Sequence, residues 1–262
     1  MTVDVLEYRP ETSARSKQVP QTESTAVPVV SSDRLPAGGE PRYELKFVIE
    51  RAELARVRAW LRCHPTGFLT TFPRRRVNSV YFDTVDLACF QENLAGVAPR
   101  AKLRLRWYGD DLATCAGTFE LKRKRGAIGQ KPQYMLPRTV RLGQTTWPEL
   151  LREVNSGLPP AWRICLHQAP RPAVLISYQR EYWASADGFV RATMDYDLRV
   201  YDQRCSARPN LRRGTPVADN VIVELKCAAA QRDQLAEAAA AFPVRTGRCS
   251  KYVRGIRASL SC

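Results

Sequence analysis

From residue 42 onward, apolar and polar positions mostly alternate one by one, the period of a half-buried strand rather than of a helix. In the run 42–49 (RYELKFVI), Tyr43, Leu45, Phe47 and Ile49 share one face. Further strand-like runs fall at 77–83, 100–108, 117–124, 173–183, 189–200 and 220–226. Helical spacing appears in fewer places. Leu54, Val57 and Leu61 mark an apolar side over 50–63, and a short helix is expected around 86–93. A helix starting near Thr146, with Pro148 in its first turn, should cover 148–154, and an Ala-rich one should cover 231–241. Strands outnumber helices without a βαβ alternation, which predicts an α+β fold built on a mainly antiparallel sheet. Residues 1–41 read differently: they are rich in Pro, Ser, Thr and Gln, with neither Trp nor Phe. Such a segment buries too little apolar surface to offset its ordering entropy, so a disordered N-terminal arm over 1–41 and a folded domain over 42–262 are expected.

The polar faces of the strands carry an unusual load. On 101–107, Lys102, Arg104 and Arg106 share one face, while Leu103, Leu105 and Trp107 share the other. On 118–124 the polar set is Thr118, Glu120, Lys122 and Lys124, and on 221–226 it is Glu224 and Lys226. Glu-x-Lys recurs at 44/46, 120/122 and 224/226. One reading is a solvated sheet face with charges paired across strands. The other is a sheet curled into a barrel, its charged face turned into a lumen. A lumen dominated by Lys and Arg with a few carboxylates suits a polyanion carrying a divalent metal. Guanidinium forks hold phosphate oxygens, and carboxylates hold Mg²⁺ or Mn²⁺.

Composition narrows the classes. The 262 residues are 44% hydrophobic, which excludes a wholly disordered chain, and the formal net charge of +15 points to an anionic partner. No window is apolar enough for a transmembrane helix, and the first residues show no signal-peptide pattern. The eight cysteines are scattered without a C-x-x-C pair, so reduced thiols and a cytoplasmic location are expected rather than a zinc site or disulfide framework. His64 and His167 have no metal-ligand spacing, and the Arg74–Arg76 run (FPRRRV) is expected to be a solvated loop.

Taken in order, R-Y-E-L-K-F at 42–47, S-V-Y-F-D-T at 79–84, K-L-R-L-R at 102–106 and E-L-K-R-K-R at 120–125 form a recognisable set. It continues with Y-Q-R-E-Y at 178–182, R-A-T-M-D at 191–195, V-E-L-K at 223–226 and R-C-S-K-Y at 248–252. Over roughly 42–257 the chain resembles the VTC domain, the polyphosphate polymerase family within the CYTH-like triphosphate tunnel metalloenzyme superfamily.

The resemblance implies an antiparallel β-tunnel with flanking helices, and an ATP:polyphosphate phosphotransferase. Such an enzyme moves the ATP γ-phosphate onto a growing polyphosphate chain, using Mn²⁺ or Mg²⁺. Carried over position by position, Lys46, Arg104, Arg106, Lys122, Arg180 and Arg191 would be the catalytic tunnel cations. Arg248, Ser250, Lys251 and Lys226 would bind substrate phosphate, and Glu224 would be the metal carboxylate. Tyr81 and Asp83 read as wall packing and structural hydrogen bonding, and Asp195 as either a second metal carboxylate or an ion-pair partner for a tunnel arginine, the ion pair being favoured. The hydrolytic and cyclase branch opens with E-x-E-x-K, whereas position 42 is Arg here. That departure favours the polymerase branch and a single metal. The alternatives are an inorganic or nucleotide triphosphatase of the same superfamily and a non-catalytic polyanion- or nucleic-acid-binding protein. Against nucleic acid, the cations alternate within strands, and Trp107 and Phe119 lie on the faces opposite them. Coupling to a membrane would need a separate partner protein.

Overall fold

The computed structural model describes residues 35–125, 128–240 and 242–261. Its strands are β1 (Arg42–Glu50), β2 (Leu69–Asp83), β3 (Arg100–Tyr108), β4 (Thr114–Cys115), β5 (Thr118–Arg125), β6 (Ile128–Gln130), β7 (Gln133–Met135), β8 (Val140–Arg141), β9 (Arg171–Ala184), β10 (Arg191–Asp202), β11 (Thr215–Pro216) and β12 (Asn220–Ala228). The helices are α1 (Leu54–Cys63), α2 (Ala88–Ala95), α3 (Trp147–Gly157), α4 (Pro160–Gln168), α5 (Arg232–Ala240) and α6 (Lys251–Leu260). In spatial order β10, β12, β1, β6, β5, β3, β2 and β9 pair antiparallel, and β9 pairs back onto β10, closing a barrel. The expected α+β class and antiparallel barrel are both present.

The period-two pattern explains the closure. Outward residues of β3 and β5 (Leu103, Leu105, Trp107, Phe119, Leu121) pack with Trp147, Leu150 and Val154 of α3 and Trp162 of α4. Outward residues of β1, β10 and β12 (Phe47, Met194, Val223, Leu225) pack with Leu54, Val57 and Leu61 of α1 and Leu235 of α5. With apolar sets covered outside by helices, the charged sets have only the interior to face. α3 starts as its sequence predicts. Thr146 caps it in a reciprocal box with Glu149, and Pro148 sits in its first turn.

A third apolar cluster lies inside the barrel. Tyr252 and Ile256 of α6 pack on Val174, Ile176, Leu198, Val200 and Ile222, so α6 stoppers part of the lumen. Gly255 permits the approach: a Cβ there would sit 2.7 Å from Ile176 Cδ1. On β10 the inward set changes parity. Thr193 and Asp195 face in, then Leu198 and Val200 do, because register shifts between Tyr196 and Arg199. Asp197 makes the bulge at φ 53, a left-handed conformation that Asp tolerates better than most residues.

Some elements differ from expectation. β2 begins at Leu69, not 77, so Arg74–Arg76 lie in a strand instead of a solvated loop, with register breaks on either side of Phe72 that accommodate Pro73. The sequence pattern predicts neither α4 nor α6. Of the expected arm, residues 1–34 lie outside the described residues, as do Gly126 and Ala127. Residues 35–41 lie on the domain: Leu35 packs against the α3–α4 core, and Arg123 Nη2 donates to the Pro36 carbonyl at 2.8 Å. Among the described residues no helix is long and apolar enough to cross a membrane, and Cys63, Cys89, Cys115, Cys165, Cys205, Cys227 and Cys249 are free.

Candidate functional site

Alternation puts Glu44 and Lys46 of β1, Lys102, Arg104 and Arg106 of β3, Glu120 and Lys122 of β5, Arg180 of β9, Asp195 of β10, and Glu224 and Lys226 of β12 on the inner wall. All of these except Glu120 and Asp195 line a cavity of about 1240 Å³. Lys46, Arg104, Arg106, Lys122, Arg180, Arg191, Glu224, Lys226, Arg248, Ser250 and Lys251 all line it, so every site residue named from sequence comes to one place. Arg191 and Arg248 are exposed at its edges, whereas Arg106, Arg180, Glu224 and Lys251 are buried.

Three carboxylate-centred clusters organise the wall. Around Glu224, Oε1 lies 3.1 Å from Lys46 Nζ and 3.0 Å from Lys251 Nζ, and Oε2 lies 2.5 Å from Lys226 Nζ. Glu44 joins this cluster: Oε1 is 3.3 Å from Lys46 Nζ, and Oε2 accepts from Lys122 Nζ at 2.8 Å. The second centre is Asp195, fully buried, which accepts from Arg180 Nε at 2.5 Å and Nη2 at 2.6 Å, with Lys251 Nζ 2.5 Å from Oδ2. The expected ion pair is therefore formed. The third is Glu120, 1% exposed, which accepts from Arg104 Nε at 2.7 Å, Lys131 Nζ at 2.7 Å and Gln133 Nε2 at 2.8 Å, with Arg106 Nη1 3.8 Å away.

Tyrosines complete the cradle. Arg104 Nη1 donates to Tyr81 Oη at 2.8 Å, and Arg106 Nη2 donates to Tyr178 Oη at 3.1 Å. Asp83 is structural, as expected: it accepts from the backbone of Thr84, Cys89 and Phe90 and from Tyr252 Oη, tying the start of α2 to α6. Ser250 caps α6 through Val253 N and also accepts from Lys102 Nζ at 3.0 Å.

Electrostatics divide the lysines. Burial opposes the charge of Lys46, but Glu224 and Glu44 outweigh it and raise its pKa. Lys251 is likewise raised, burial being overcome by Asp195 and Glu224. Lys102 and Lys122 behave oppositely. Burial first, then neighbouring cations (Lys122 and Lys46 for Lys102, Lys46 for Lys122), lowers each to about 7. Burial also lowers Lys131, to about 8, despite Glu120. Burial works against ionisation of Glu224 too, yet Lys226, Lys251, Lys46 and Arg180 hold it well below the usual carboxylate range. The wall therefore carries ammonium groups held charged by carboxylates (Lys46 and Lys251) beside lysines whose charge burial opposes (Lys102 and Lys122).

The donors suit a hard divalent cation. Glu44 and Glu224 put their Oε1 atoms on the same ammonium, Lys46, and Glu44 Oε1 is buried without a hydrogen-bond partner. Two carboxylates with no imidazole or thiolate are what Mg²⁺ or Mn²⁺ takes when phosphates and water complete its shell. Among the described residues there is no group of three or more His, Cys, Asp or Glu that could hold a metal ion.

Sequence reasoning did not assign Glu44, Glu120 or Lys131 to the site. The first two were visible as members of the Glu-x-Lys repeat, but Lys131 follows a turn and precedes Pro132, where no periodicity marks it.

The family model described as the VTC domain matches residues 41–260. No curated protein matches the sequence. Among solved structures, the PH1819 protein of Pyrococcus horikoshii OT3 is 11% identical, with 83% of this chain and 99% of that one covered and a TM-score of 0.43. A candidate adenylate cyclase of Vibrio parahaemolyticus is 14% identical, with 86% and 100% covered and a TM-score of 0.46.

Proposed function

Since the chain belongs to the VTC-domain family, we propose that it is a polyphosphate polymerase, transferring the γ-phosphoryl group of ATP to the end of an inorganic polyphosphate chain inside the barrel. The observation that carries this reading is the enclosed cationic lumen with Glu44 and Glu224 converging on one point of its wall.

In this reading Lys46, Arg104, Arg106, Lys122 and Arg180 hold the triphosphate, with Arg191 at the edge. Lys226, Arg248, Ser250 and Lys251 hold donor or acceptor phosphates. Arg180 and Arg104 are already fixed by Asp195 and by Glu120 with Tyr81, so they pay little reorganisation when phosphate arrives. Glu224, with Glu44, would hold Mn²⁺ or Mg²⁺, which would supply neutralisation of the phosphate charge during transfer.

No protein base is required, because a terminal phosphate acceptor is already ionised at neutral pH. The chain's residues align acceptor oxygen, phosphorus and leaving ADP oxygen, and they keep bulk water from intercepting the γ-phosphoryl group. Transfer forms the new P–O bond on the acceptor and breaks the bond between the γ-phosphorus and the oxygen that leaves with ADP.

The test is incubation of the protein with ATP and Mn²⁺ or Mg²⁺, with polymer resolved on gels and ADP assayed. Polyphosphate matched by ADP is the expected result. Free phosphate without polymer would make the protein a triphosphatase, and ATP binding without turnover would make it a polyanion-binding module.

A further inference from the structure

The two ends of the lumen differ in chemistry. Arg100 opens β3 and Tyr108 closes it, so these residues mark opposite ends of the same strand. Around the Arg100 end the cavity wall includes Lys124, paired with Arg100 across β3–β5, and Arg248, which lies against Gly96. Around the Tyr108 end it includes Phe72 and Tyr182. There the Arg75 guanidinium lies 4.7 Å from the Tyr108 ring centroid, 4.8 Å from that of Tyr182 and 5.3 Å from that of Phe72. Tyr182 meets Phe72 edge to face with centroids 5.7 Å apart.

Such a cluster could be packing alone, but its exposure argues otherwise. Phe72 is 54% exposed and Tyr108 48%, unlike the outward aromatics of the same barrel, which helices cover. Tyr182 Oη is buried without a hydrogen-bond partner. The cluster is also in register with the phosphate cradle. Tyr108 lies two residues beyond Arg106 on β3, Tyr182 two beyond Arg180 on β9, and Arg75 is paired with Arg180. Two residues of strand span about 6.6 Å, so the rings stand one short step outside the innermost arginines.

A polyphosphate chain has no π face and gains nothing from such rings, whereas a nucleobase does. We propose that Phe72, Tyr108, Tyr182 and Arg75 form the nucleoside subsite. The base of the incoming nucleoside triphosphate stacks there while its phosphates run inward to Arg106, Arg180 and Arg104. The Arg100–Lys124–Arg248 end then serves the polyanion, so donor and polymer occupy opposite mouths. This rests on the nucleotide-dependent reading given under Proposed function.

The experiment compares Mg²⁺-ATP with Mg²⁺-tripolyphosphate, a ligand of equal phosphate number without a base, by calorimetry on the full chain. Wild type should bind both, ATP more tightly. Phe72→Ala with Tyr108→Ala should weaken ATP about tenfold or more, the usual scale of losing base–aromatic stacking, and change tripolyphosphate by less than about twofold. Tyr108→Phe, which keeps the ring, should retain wild-type discrimination. Equal losses for both ligands, or an unaltered ATP affinity, would overturn the subsite while leaving the phosphate chamber standing. Failure of wild type to bind either ligand would overturn the chamber reading and the subsite together.

Discussion

Lys102 and Lys122 stand directly opposite each other on β3 and β5, two amines in register inside the lumen. Ser250 Oγ accepts a hydrogen bond from Lys102, whereas Lys122 has the Glu44 carboxylate. Burial and neighbouring cations bring Lys102 down to about 7, against 10.5 for a free lysine. Phosphate entering the lumen favours its ammonium form, so binding should take up protons near neutral pH, and affinity for tripolyphosphate should fall as pH rises through 7. Calorimetry in buffers of differing ionisation enthalpy measures the uptake, and Lys102→Met should reduce it. The same shift acts on folding with a definite sign. Between about 7 and 10.5 the unfolded chain binds the proton that folded Lys102 has lost, so this residue's contribution makes stability rise with pH over that window.

Glu224 is the shared counter-charge of Lys46, Lys226 and Lys251. Glu224→Gln should lower metal-dependent turnover about a hundredfold, the scale of losing one charge-stabilising group at a transition state. Affinity for ATP should hold or increase, since the ammonium groups lose their counter-charge. Metal-titrated turnover and ATP calorimetry give the two readings, and undiminished metal-dependent turnover would refute the role.

Removing Glu120 should act mainly on stability and on the posture of Arg104. Deleting one member of a buried ionic cluster costs about 3–5 kcal/mol, because the remaining charges stay buried unpaired. Urea unfolding of Glu120→Ala should report that loss. The double variant Glu120→Leu with Arg104→Met should recover part of it while remaining inactive, separating folding from phosphate binding.

Gly255 sets the depth of α6. Gly255→Ala drives a methyl against Ile176 Cδ1, which should cost about 1–3 kcal/mol in a packed interior. Ile176→Val deletes that Cδ1 atom, so the pair should be more stable than Gly255→Ala alone. A denaturation series on the single and double variants decides it.

The barrel was legible because each long strand keeps apolar residues on one side and charge on the other, and because Glu-x-Lys recurs on β1, β5 and β12. The chamber was legible for the same reason. What escaped was set by tertiary contact. α6 mixes Lys251, Arg254 and Arg257 with a narrow apolar side of Tyr252 and Ile256, and its glycine reads as a helix breaker until Ile176 is seen beside it. Arg74–Arg76 reads as a loop because Pro73 precedes it, whereas β9 supplies a partner strand that tolerates the irregularity. Lys131 joins the wall only because β5 and β6 fold back to bring it to Glu120.

Pairing of β1 with β12 has a temporal consequence. Lys46 meets Glu224 only after most of the chain has been made, and Ser250 and Lys251 come later still. A nascent chain ending before β12 carries Lys46, Lys102, Arg104 and Lys122 without the carboxylate and helix that later enclose them. Such long-range closure makes folding slow relative to local helix formation. The cations of β1, β3 and β5 are thus made before Glu224 and Lys251, and the wall around Lys46 can be completed only when β12 and α6 have been made.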